Sequence, residues 1–182
     1  MTATEHVILV DEEDTPQGTD EKLAAHRAGL CHRAFSVFIF RHHDNVEVLL
    51  QQRANHKYHS PGLWTNTCCS HPRPNEEIIQ AGERRLKEEM GIETPLISAG
   101  RFHYIAHFSN GLTENEVDHV LIGRSKAEQI AFNPEEVQDY RWITLSALQQ
   151  ELARHPEHFT PWFARALQIA EAAVTKRVLV LK

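Results

Sequence analysis

Phe35-Ser36-Val37-Phe38-Ile39-Phe40 carries aromatic and β-branched side chains on both alternating faces of an extended segment. A strand of that kind is expected to be buried on both sides. Residues 46–52 read as its hairpin partner across the polar turn His42 to Asn45, and residues 7–10, 101–108, 116–123 and 140–143 read as further strands. Ser109-Asn110-Gly111 is the turn signal that joins 101–108 to 116–123. Elsewhere the pattern is helical. Thr19 or Asp20 is placed to cap a helix to about Ala28, stopped by Gly29, after a turn over residues 11–18. Asn75 is placed to cap another, with Glu76 and Glu77 in its first turn, where the helix dipole favours them. Ile78, Gly82, Leu86 and Met90 then form one apolar stripe, and Gly91 ends it. A mid-helix glycine costs about 1 kcal/mol against alanine, so Gly82 predicts a strand or loop lying too close for a methyl group. Thr144 caps a short helix through Glu151, and Thr160-Pro161 opens a long one to about Lys176. No repeat, low-complexity run or linker interrupts residues 1–182, which are expected to form one domain.

The densest chemistry lies in Trp64-Thr65-Asn66-Thr67-Cys68-Cys69-Ser70-His71-Pro72, which holds two thiols, an imidazole, an amide and an indole. Pro61-Gly62 before it and Pro72 and Pro74 at its end suit a rigid loop. Taken alone, Cys68 reads as a small buried hydrophobe, and Cys69 stays undecided. The three cysteines are odd in number and two are adjacent. That is a poor disulfide framework and points to a reducing compartment, the cytoplasm. Residues 1–10 have neither the basic start nor the long apolar core of a signal peptide or membrane span. The net charge of −6 argues against nucleic-acid binding through the whole surface, while a local basic pocket can still take a phosphate. Most of the thirteen histidines, including the pairs His42-His43 and His56 with His59, are expected in solvated loops.

A smaller set of groups could meet. Lys22 and His26 lie four apart on one helix face, His32 precedes the central strand, and His71 ends the thiol loop. Alternation sends Glu114 and Glu116 to the same side of an extended chain. Two carboxylates aimed into one space repel unless they share a cation; facing water, they need none. Three imidazoles and two carboxylates suit an octahedral divalent ion such as Mn²⁺ or Mg²⁺, whereas Zn²⁺ is usually content with fewer ligands. Spacing alone leaves both readings open. It does the same for Arg85 and Glu89, one helical turn apart, where an ordinary salt bridge serves as well.

The motifs TNTCCSHP, AHRAGLCHRAFS, TENEVDH and RRLKEEMGI resemble the type I isopentenyl-diphosphate isomerases of the Nudix superfamily, and the resemblance spans nearly the whole chain. It implies an α+β fold, mixed β-sheets flanked by helices in an α/β/α sandwich. The implied reaction turns isopentenyl diphosphate into dimethylallyl diphosphate by protonation and deprotonation. By the same resemblance His26, His32, His71, Glu114 and Glu116 would hold Mn²⁺ or Mg²⁺, with Zn²⁺ as a further option. Cys69 and Glu116 would be the acid–base pair, with Tyr104 beside Glu116. Glu89 would bind Mg²⁺ carried in with the diphosphate, Lys22, Arg53, Lys57 and Arg85 would meet the diphosphate itself, and Trp162 would face the hydrocarbon end. Glu116 is expected to donate and Cys69 to accept in the forward direction, with nearby cations holding some of the thiol as thiolate. The expected partner is a small molecule, not nucleic acid or membrane, and the chain is expected to act as a monomer or weak homodimer.

The Nudix hydrolase pattern is only partly kept. Glu76, Arg84, Glu88, Glu89 and Gly91 fit, but Ser70 stands where the first glycine would be and Arg85 replaces a glutamate. A hydrolase of nucleoside-diphosphate-type substrates is the rival enzyme. The rival of another class is a zinc-stabilised binding module using Cys31, His32, Cys68, Cys69 and His71.

Overall fold

The computed structural model describes residues 4–178. The chain runs β1 (His6–Val10), β2 (Pro16–Glu21), α1 (Lys22–Ala28), β3 (His32–His42), β4 (Val46–Arg53), β5 (Trp64–Thr65), β6 (Cys68–Ser70), α2 (Ile78–Met90), β7 (Ile97–His107), β8 (Thr113–Arg124), β9 (Val137–Thr144), α3 (Leu145–Arg154) and α4 (Phe163–Val178). All nine strands join in one mixed sheet. β3 lies at its heart, antiparallel to β4 and β6 and parallel to β8. β8 also pairs with β7, and β4 with β5 and β9.

Alternation along β3 divides the core into two layers. Phe35, Val37 and Ile39 pack with Leu49, Leu86 and Met90 beneath α2. Phe38 and Phe40 face the other way, packing with Leu50, Leu148, Phe163 and Leu167 beneath α3 and α4. Both faces of the central strand are therefore covered, as its sequence requires, and the result is an α/β/α sandwich with one sheet at its centre. Among the described residues no helix is long and apolar enough to cross a membrane.

Gly82 marks the closest approach of α2 to the sheet. A Cβ there would lie 2.5 Å from Leu121 Cδ1 and 3.1 Å from Leu96 Cδ1, with Leu121 fully buried. Gly82→Ala gains about 1 kcal/mol of helix propensity but overpacks the core at a cost of roughly 1–3 kcal/mol. The net expectation is a fall in Tm of a few degrees by thermal denaturation, since ~1 kcal/mol moves Tm by about 2–4 °C in a chain of this size. An unchanged or raised Tm would contradict the close packing.

Several boundaries differ from the sequence reading, three of them at helix starts. Thr19 and Asp20 do not cap α1, because they pair with Ile8 and Val7 in β2, a strand hidden in the segment read as a turn. Glu21 caps α1 instead, accepting from Leu23 N at 3.1 Å and Ala24 N at 2.8 Å. Asn75 adopts φ 65° rather than the extended backbone of a cap, so α2 starts at Ile78 after Glu77. Glu76 lies outside the helix and ties the loop to it, accepting from Arg84 Nε at 2.7 Å. Finally, α4 begins at Phe163 rather than at Thr160-Pro161, and Trp162 immediately precedes it.

Candidate active site

The face of β3 and β8 beneath α4 changes character along its length. Phe38, Phe40, Val120 and Ile122 line the apolar part. At the other end the same alternation presents His32, Ser36, Glu114, Glu116 and Asp118. Register completes the row, because Glu116 sits between His32 on β3 and Tyr104 on β7. Directly paired residues on one face hold their side chains within reach of each other. His32 Nε2 is 3.1 Å from Glu116 Oε1, and Tyr104 Oη donates to Glu116 Oε2 at 2.9 Å and also contacts Glu114 Oε2.

α1 and the segment after β6 bring in two more imidazoles. His71 Nε2 lies 2.9 Å from Glu116 Oε1, and the His26 ring centroid is 4.8 Å from that of His32 and 5.7 Å from that of His71. His26 Nδ1 donates to Lys22 O at 2.6 Å, and His32 Nδ1 to Leu30 O at 2.8 Å. A carbonyl can only accept, so each of these Nδ1 atoms carries a proton and each Nε2 faces inward, that of His32 towards Glu116. His26 Nε2 is buried and has no hydrogen-bond partner. One ligand atom each from His26, His32, His71 and Glu116 lie within 4.8 Å of one another, and so do those of His26, His59 and Glu114. Ring nitrogens and carboxylate oxygens converging in a buried space, with the His26 and His32 rings oriented from behind, fit a divalent cation that would take the place of the protons between them.

Protonation supports that fit. Burial, against the partial offset of the Glu116 hydrogen bond, pulls His71 down to about 4, so its ring is neutral and able to ligate. Burial alone would raise Glu116, but hydrogen bonds to His32 and His71 outweigh it and hold the carboxyl well below its ordinary range.

Cys69 lines the same cavity as Glu116, Tyr104 and Trp162. Its sulfur is 3.8 Å from Arg53 Nη1, yet burial outweighs that cation and pushes the thiol up to about 12. The expectation of a partial thiolate is therefore corrected: the buried sulfur keeps its proton at neutral pH. Cys68, one residue earlier, points to the opposite face, where it is fully buried and donates to Glu89 Oε2 at 2.6 Å. Two side chains fix this alternation. Asn66 Nδ2 donates to Cys68 O at 2.6 Å, while Thr67 Oγ1 donates to Leu49 O at 2.6 Å and accepts from Ile39 N at 2.9 Å. Because adjacent thiols face apart, they cannot share one ion. No cysteine belongs to a metal-competent cluster among the described residues, which counts against the zinc-module reading.

Lys22, Arg53, Lys57 and Arg85 also line this cavity. Lys22 pairs with Glu5 at 2.5 Å and Lys57 with Glu136 at 2.5 Å. Arg85 meets Glu88 at 2.8 Å, Glu89 at 3.1 Å and Glu136 at 3.5 Å. The helical salt bridge considered for Arg85 and Glu89 is thus present. Glu89 is buried, and burial raises its pKa. Trp162 is 3% exposed, donates from Nε1 to Asn66 Oδ1 at 3.1 Å, and has Arg53 over its ring at 5.7 Å.

His59 departs from the sequence reading. It was expected in solvent beside His56; His56 is exposed, but His59 is buried with Nε2 2.7 Å from Glu114 Oε1. The loop after β4 carries it inward, and a lone histidine in a loop has no periodic signal that would reveal this. Asp118 was missed as well, although it continues the period-two series from Glu114 and Glu116. It accepts from Ser36 Oγ at 2.8 Å, its Oδ1 has no partner, and burial raises its pKa well above the usual range.

Residues 31–163 match the family described as NUDIX domain, so fold and sequence together define a NUDIX protein. DR0079 from Deinococcus radiodurans, a solved crystal structure, has this fold at a TM-score of 0.70, with 21% identity over 92% of this chain and 98% of its own. The chain is 47% identical over 163 residues to isopentenyl-diphosphate Delta-isomerase 2 of Aromatoleum aromaticum, covering 90% of this chain and 85% of that one. It is 50% identical over 171 residues to the isopentenyl-diphosphate Delta-isomerase of Photobacterium profundum, covering 92% and 95%. The chain belongs to the isopentenyl-diphosphate Delta-isomerase family.

Proposed function

We propose that the protein interconverts isopentenyl diphosphate and dimethylallyl diphosphate. The observation that carries this reading is that Cys69, Glu116, Tyr104 and Trp162 share one cavity with four cations. In the forward direction the alkene π electrons take a proton at the terminal carbon, leaving a tertiary cation on its neighbour. Loss of a proton from the carbon next to the C–O carbon returns an electron pair as the internal double bond. Cys69 and Glu116 are the two proton-transfer groups, one donating while the other accepts, and each serves both directions of a reversible reaction. Tyr104 orients Glu116 through its hydrogen bond. The Trp162 indole stabilises the cation by up to about 2 kcal/mol or more in a dry site and offers it no hydroxyl.

His26, His32, His71, Glu114 and Glu116 would hold Mn²⁺, Mg²⁺ or Zn²⁺, which when bound supplies the positive charge that neutralises the paired acids and fixes Glu116. Glu89 would meet a Mg²⁺ that arrives with the diphosphate and offsets its charge. Lys22, Lys57 and Arg85 would exchange Glu5, Glu136 and Glu88 for phosphate oxygens, and Arg53 would join them. Binding the diphosphate away from the reacting carbons fixes the alkene between the proton-transfer groups. The protein is assigned to a reducing compartment, the cytoplasm, on its free thiols, and is taken to work as a monomer or weak homodimer.

Incubation with isopentenyl diphosphate in D₂O, followed by proton NMR, tests the reaction. Deuterium is expected in a methyl group of dimethylallyl diphosphate; an unchanged spectrum from metal-loaded protein overturns the proposal. Arg53→Ala should raise KM by roughly 10- to 100-fold, the loss of one charged hydrogen bond of ~1.5–3 kcal/mol. Steady-state kinetics checks this, and a KM effect no larger than that of Cys69→Ala would remove Arg53 from the diphosphate site.

A further inference from the structure

We propose that Asn66 is a positioning residue that sets the gap between two walls of the cavity, the Trp162 indole and the Cys69 sulfur. The inference rests on the reaction proposed above and gives a role to a fully buried side chain outside the residues that line the cavity. Its amide is held at both ends. Oδ1 accepts from Trp162 Nε1 at 3.1 Å and from Thr65 Oγ1 at 2.8 Å. Nδ2 donates to Cys68 O at 2.6 Å and to Val37 O at 3.4 Å.

An indole N–H only donates and a carbonyl only accepts, so these partners permit one orientation of the amide. Because Thr65 Oγ1 gives its proton to Asn66, Thr160 Oγ1 donates to Thr65 across 2.9 Å. A directional chain therefore runs from Thr160 through Thr65 to Asn66, where the indole joins it. Every member is buried, Thr65 and Asn66 fully and Thr160 and Trp162 at 3% exposure. Water is excluded from replacing a lost bond here, which makes each one costly to break.

Each end of the amide fixes one working group. Thr160 N bonds to Trp64 O at 3.1 Å, so the segment ahead of α4 is tied to β5 by its backbone while the indole is tied by its own N–H. On the other side, Cys68 O and Cys69 N belong to one planar peptide unit. Holding that carbonyl fixes the plane from which the Cys69 side chain projects. Trp162 and Cys69 come from distant parts of the chain, and one rigid amide spans them. The alkene has to lie within reach of the sulfur while the cation it becomes faces the ring. A displacement of about 1 Å in such an arrangement costs roughly 100-fold in rate.

Steady-state kinetics on the metal-loaded full chain with isopentenyl diphosphate tests this. Asn66→Ala is expected to lower kcat by about 10- to 100-fold while KM changes by less than about threefold, because the cations assigned to the diphosphate are untouched. A milder pair keeps the test independent of how well that variant folds. Thr65→Val removes the hydroxyl donor to Asn66 and should lower kcat by roughly 3- to 10-fold, whereas Thr65→Ser keeps the hydroxyl and should restore it. A folded Asn66→Ala or Thr65→Val with kcat within about twofold of wild type overturns the proposal. So does a loss that falls on KM, or one that serine does not restore. Wild-type protein that leaves isopentenyl diphosphate unchanged overturns the reaction itself and this inference with it.

Discussion

Cys69→Ala is expected to lower kcat by roughly 10²- to 10⁴-fold, the contribution of one positioned proton-transfer group. Its effect on KM is expected to be smaller than that of Arg53→Ala, because the sulfur is proposed to meet the reacting carbons and the guanidinium the diphosphate. The informative comparison is Cys68→Ala. That change removes a buried donor to Glu89 on the far face of the sheet. It leaves a buried carboxyl one hydrogen bond short, a stability cost of roughly 1–3 kcal/mol. Denaturant midpoints and single-turnover rates on both variants separate the roles. Equal turnover losses for the two would sink the assignment of the chemistry to Cys69.

Glu116→Gln is expected to have the second of the two largest effects, because it strikes at once a proposed proton-transfer group and a proposed ligand. Glu116 Oε1 faces His32 and His71, and Oε2 accepts from Tyr104. An amide keeps one oxygen for these partners, and its NH₂ is a donor with no affinity for a cation. Turnover is expected to fall by about 10²- to 10⁴-fold, with metal content of the purified protein falling alongside it. Elemental analysis beside steady-state kinetics checks both. Full metal occupancy with near-normal turnover would show that Glu116 is dispensable for both jobs.

Much of this was legible in the sequence where local pattern and geometry coincide. Period two placed Glu114 and Glu116 together, the doubly apolar strand required two covering layers, and Gly82 signalled a close approach. What could not be read depends on contacts between distant segments. Pro16-Gln17-Gly18 looks like a turn, and only pairing with β1 makes it a strand. Asn75 has the chemistry of a cap but not the backbone angle. His59 is indistinguishable from His56 until the loop after β4 folds inward. Cys69 has cations nearby in sequence, yet its protonation follows from how completely the surroundings exclude water, which no spacing encodes.

β6 is only three residues long, Cys68–Ser70, yet it decides which sulfur faces the cavity. A slip of one residue in a strand flips every side chain to the opposite side. Loss or gain of a single residue between Thr67 and Pro72 would therefore not weaken the enzyme by degrees. It would swap the thiols, sending the sulfur that now lines the cavity beneath α2 and its neighbour into the cavity. The consecutive cysteines are thus distinguished by parity, and the side chains of Asn66 and Thr67 keep the count.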